Sequence, residues 1–103
     1  MAREYDKLVR DRIPELIEAD GERPVTHVAD GAEYERRLRE KLDEEVREYR
    51  EDGDPEELAD VLEVVHALRE LAGLTEAELA ALRAEKAEDR GRFEERVVLE
   101  RVE

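Results

Sequence analysis

The sequence predicts a mainly α fold, a helical bundle built on an antiparallel helix hairpin. Apolar residues recur at helical spacing from about Ala32 to Arg50, and again from Pro55 toward Gly73. Between the two stretches lies Asp52-Gly53-Asp54-Pro55, a stop signal followed at once by a start signal. A connection that short makes the flanking helices antiparallel neighbours.

Taken in order, the first segment, 5–12, mixes Leu8 and Val9 with Lys7, Arg10, Asp11 and Arg12, and reads as extended or a short turn. Ile13 precedes Pro14 and is expected to be extended, with a helix from Pro14 to Ala19 stopped by Gly21. Residues 24–29, with two valines and a threonine, read as a short strand; 97–102, with Val97, Val98, Leu99 and Val102, read as its partner in a small two-stranded ribbon. His27 within the first of these is expected to be packed or exposed, not a ligand. Asp30 is placed to cap the long helix that follows, and Asp54, Pro55 and Glu57 open the next. Thr75 and Glu78 form a capping box for a last helix from Glu76 to about Asp89, on which Leu79, Leu82, Lys86 and Arg90 share one side. A lysine on a packing face needs an anionic partner.

The chain has 103 residues, enough for one domain with a modest core made of Leu and Val, so burial by pairing of subunits is expected. Its formal charge is −14, a surface that repels nucleic acid and anionic membranes. Three Lys stand against fifteen Arg, and the acidic surface is the pattern of a protein suited to high salt, where self-repulsion is screened. No cysteine is present, which excludes disulfides and thiolate metal sites. No apolar run approaches the ~20 residues that span a bilayer, and no signal-peptide pattern opens the chain; a cytoplasmic location is expected.

In so acidic a chain, the informative carboxylates are those that fall on apolar faces. At about 100° per residue, Tyr34, Leu38, Leu42, Val46 and Tyr49 cover roughly 120° of the first long helix. Glu45 lies inside that arc and Glu48 at its margin, while Glu40 and Glu44 point away. On the second, Leu58, Val61, Leu62, Val64, Val65, Ala67, Leu68 and Leu71 cover roughly 220°, a width that implies burial on more than one side. Glu57 and Asp60 lie within it; Glu63, His66, Arg69 and Glu70 form the outward wedge. The four inward acids, spaced three apart in two pairs, can converge across the hairpin. Uncompensated, they would repel one another, and an all-oxygen set without cysteine favours a hard cation, Mg²⁺ or Mn²⁺.

Glu44, Glu45 and Glu48 spell E-E-x-x-E, and Glu57 and Asp60 spell E-x-x-D. With YDKLVRDRIPELI (5–17) and KAEDRGRF (86–93), the chain resembles the MazG-like all-α nucleotide pyrophosphohydrolases, in the branch labelled phosphoribosyl-ATP pyrophosphohydrolase-like. The resemblance implies a Mg²⁺-dependent hydrolysis of a nucleoside triphosphate to monophosphate and pyrophosphate. It implies metal ligation by Glu45, Glu48, Glu57 and Asp60, with Glu45 or Glu48 as base. Lys7, Arg10, Lys86 and Arg90 would meet the substrate phosphates, in a homo-oligomer. Phosphoribosyl-ATP is the alternative substrate; a non-catalytic acidic helical module and an acidic nucleic-acid mimic are the readings of another class.

Overall fold

A computed structural model describes residues 3–103. Four helices follow one another: α1 (Ile13–Ala19), α2 (Gly31–Asp52), α3 (Pro55–Leu71) and α4 (Glu76–Arg90). Among the described residues there is no strand. The mainly helical prediction and the central hairpin are therefore present, and α2 packs along α3 as the main contact between elements.

Local chemistry sets most of the boundaries. Asp30 is extended and its carboxylate accepts the Glu33 N–H at 2.8 Å, so α2 opens on a true side-chain cap. Gly53 ends α2 in the left-handed region at φ 70°, where its N–H still reaches the Tyr49 carbonyl at 2.8 Å. The Thr75–Glu78 capping box forms both of its bonds, each 3.1 Å. Asp54 differs from expectation: it is extended before Pro55 but its side chain makes no capping bond. Ile13 differs too, for it is the first residue of α1, because its N–H closes a turn on the Arg10 carbonyl at 3.1 Å that winds straight into the helix.

The expected ribbon does not form. Residues 24–29 and 97–102 are irregular, and Val25, Val28, Val97, Val98, Leu99 and Val102 are all exposed. Two strands without a sheet or helix to lie on are marginal in water, and nothing among the described residues covers these.

The helices leave much apolar surface open. Leu38 and Val64 are the buried apolar side chains, one from each arm of the hairpin. Val46, Leu58 and Leu62 remain at least 39% exposed, so the second side of the wide apolar face of α3 is unfilled. α4 packs only on α3, and α1 touches no other helix. The radius of gyration is 18.1 Å, where a compact chain of this length has about 13 Å.

Candidate functional site

The loop end of the hairpin gathers the predicted acids. Glu45 comes from the last turns of α2, and Glu57 and Asp60 from the first turns of α3; one carboxylate oxygen from each lies within 4.8 Å of the others. Glu45 is 8% exposed, which makes it the buried charged side chain among the described residues. Glu48 stands outside this trio, one turn on from Glu45, so that the two carboxyls are neighbours. The Glu45 carboxyl beside it, then partial burial and the charge of Glu44, push the Glu48 carboxyl above the usual glutamate range. Burial, followed by the charges of Glu48 and Asp52, pushes Glu57 the same way. Negative charge is thus concentrated around Glu48 and Glu57.

Three cations border the acids. Lys41 lies 3.3 Å from Glu45 and 2.9 Å from Glu44. Burial opposes its charge, but hydrogen bonds to those two carboxylates outweigh burial and hold its ammonium above the usual range. Lys7 reaches Glu44 at 2.6 Å, and Arg10 reaches Asp60 at 2.8 Å. Glu44, expected to point away, is instead half-buried: burial raises its carboxyl, the two lysines lower it, and the lysines win. Sequence reasoning misses both Lys41 and Glu44 as residues of the site. The available signal is Lys41 sitting four residues before Glu45 in a chain with only three lysines.

Segment 5–12 therefore lies as a strap against α2. Arg37 fixes it from below, donating to the Asp6 carboxylate at 2.8 Å and to the Asp6 carbonyl at 2.7 Å. An open groove between strap and α2 is lined by Lys7, Arg37, Lys41, Glu44 and Arg47.

Lys86 and Arg90 are not brought to the acids. Both are exposed, neither forms an ion pair among the described residues, and α4 does not touch α2. Leu79 on their side of α4 is half-buried, but Leu82 is largely exposed and the end that carries Lys86 and Arg90 is not packed within one chain. His66 and Arg69, expected on the solvated wedge, are half-buried instead: Arg69 donates to His66 Nδ1 at 3.3 Å and to the Leu74 carbonyl at 2.5 Å, closing the end of α3. His27, exposed, bonds Glu33 at 2.9 Å, away from the acids. No helix among the described residues is long and apolar enough to cross a membrane.

The chain is 57% identical over 44 residues to an uncharacterized protein of Mycolicibacterium smegmatis, a match that covers 43% of this chain. It spans 45% of the length of that relative. No protein-family model matches the chain, and no solved structure matches it.

Proposed function

We propose that the loop end of the α2–α3 hairpin is the centre of a divalent-metal-dependent nucleoside triphosphate pyrophosphohydrolase. The observation that carries this reading is the trio Glu45, Glu57 and Asp60, three carboxylate oxygens from two helices within 4.8 Å of one another. The fit to a hard cation is chemical as well as geometric. Mg²⁺–oxygen bonds of about 2.1 Å set ligand oxygens at most about 4.2 Å apart, a gap that small side-chain rotations close. An oxygen-only donor set suits Mg²⁺ or Mn²⁺. The resemblance of the two acidic motifs and their flanking stretches to the MazG-like enzymes supports the same assignment.

In this reading Glu45, Glu57 and Asp60 would hold the metal, which would supply charge neutralisation and polarise the phosphoryl oxygens. Water attacks the α-phosphorus, the bond to the β-phosphate oxygen breaks, and pyrophosphate leaves. Glu48 takes the proton of the attacking water; it lies outside the trio, one turn on from Glu45, and so is left free of the ion. Lys7 and Arg10 on the strap lie beside the acids and would meet the outer phosphates. Lys86 and Arg90 would do so only in an assembly that brings α4 over the hairpin. A second copy seated on Val46, Leu58 and Leu62 would fill the open side of α3, and the functional unit is proposed as a homo-oligomer.

The test is a panel of canonical and damaged nucleoside triphosphates together with phosphoribosyl-ATP, assayed for pyrophosphate with and without Mg²⁺. Metal-dependent pyrophosphate release that Asp60→Asn removes is expected. Metal binding with no turnover of any substrate would instead make this a non-catalytic ion-binding module.

A further inference from the structure

We propose that Arg10 is the strap's cation on Asp60 before metal arrives, and that a divalent ion binds by displacing it while Lys41 stays on Glu45. The inference rests on the metal-centre reading above and concerns its control. Arg10 Nη2 sits 2.8 Å from Asp60 Oδ1, and Asp60 belongs to the trio that would hold the ion. Another strap contact to an acid, Lys7 to Glu44, is to a carboxylate outside the trio. Arg12 pairs with Glu15, so of the three strap cations only Arg10 shares a carboxylate with the ion. Both side chains of the Arg10–Asp60 pair are substantially exposed, at 57% and 39%, so the pair is solvent-screened and readily exchanged. A guanidinium and a divalent ion on one small carboxylate repel each other even in water.

The strap is built so that Arg10 can leave while the rest stays. Asp6 adopts the left-handed region at φ 44°, unusual for a residue with a side chain, and Arg37 holds it there through both its carbonyl and its carboxylate. Lys7 is anchored next to it on Glu44. α1, which follows the strap, touches no other helix, so no helix–helix contact holds the segment after Arg10 against α3. Arg10 is three residues on from Lys7, a span of at most about 11 Å, so a displaced Arg10 remains at the rim of the site. There it is free for an anionic ligand at the moment the metal makes anion binding favourable.

Mn²⁺ titration of the nucleotide-free protein, by electron paramagnetic resonance at low ionic strength, reads this directly. Arg10→Gln should tighten Mn²⁺ binding about two- to fivefold, the equilibrium equivalent of an exposed ion pair. Asp60→Asn should weaken it, and Arg10→Gln should add nothing in the Asp60→Asn background. Arg12→Gln, which removes a nearby charge paired with Glu15 instead, should change nothing. Wild-type binding that Arg10→Gln leaves unchanged or weakens would overturn the displacement while leaving the metal centre standing. Equal tightening by Arg12→Gln would overturn it in favour of a general charge effect. Absence of Mn²⁺ binding in every variant would overturn the metal centre and this inference together.

Discussion

Lys41 Nζ stands 3.3 Å from Glu45 Oε1, one helical turn away on the same face of α2, and their side chains are 15% and 10% exposed. The same ammonium lies 2.9 Å from Glu44, so one lysine neutralises the inner edge of the acid cluster. Its raised proton affinity means that this stabilisation is fully present at neutral pH and is lost only in strong alkali. Lys41→Met should cost about 1–2 kcal/mol in urea unfolding of the metal-free protein, because it strands a buried carboxylate. Millimolar Mg²⁺ should recover part of that loss, since the ion takes over the neutralising role.

Glu48 and Glu57 make a prediction of opposite sign. Their folded-state carboxyls bind protons more tightly than in the unfolded chain, so the stability linked to their protonation is present at low pH. It is lost as pH rises through their raised values. Glu33, lowered chiefly by its bond to His27, and Glu44 contribute instead above the usual glutamate value and lose that contribution as pH falls below it. Thermal unfolding of the metal-free protein should therefore show greatest stability near the ordinary glutamate value of 4.5, with a fall on either side. Glu48→Gln should raise the melting temperature at pH 7 and flatten the fall between acid and neutral.

The hairpin and the inward acids are legible in the sequence because helical periodicity fixes which residues share a face, and Gly53 and Pro55 fix where the chain reverses. Periodicity cannot report what an irregular segment does. Glu44 reads as outward because its angle lies off the apolar arc, yet Lys7, 37 residues earlier, comes back to cover it. Arg69 and His66 read as solvated for the same reason, and a bond to Leu74 beyond the helix end draws Arg69 inward. The ribbon fails because apolar composition marks a segment that wants a partner without saying that one lies within reach.

Exposed Leu58 and Leu62 lead to a prediction about assembly. At 50% and 54% exposure they continue the apolar face of α3 beyond what α2 covers. Light scattering should give more than one chain mass for the wild type. Leu62→Glu should shift the protein toward monomer with helix content retained; an unchanged mass would place the interface elsewhere.

Gly53 connects the two arms that carry the acids, at φ 70°, with open space where the methyl group of an alanine would sit. Gly53→Ala therefore meets no clash, only the cost of a left-handed backbone for alanine, about 1 kcal/mol. Chemical denaturation should show a loss of that size with the hairpin intact.

The most direct measurement is anomalous diffraction from crystals equilibrated with Mn²⁺. A manganese peak bounded by Glu45, Glu57 and Asp60, with Arg10 withdrawn from Asp60, is the predicted result. Clear density for the hairpin with no anomalous peak between those three carboxylates, and Arg10 still on Asp60, would contradict it.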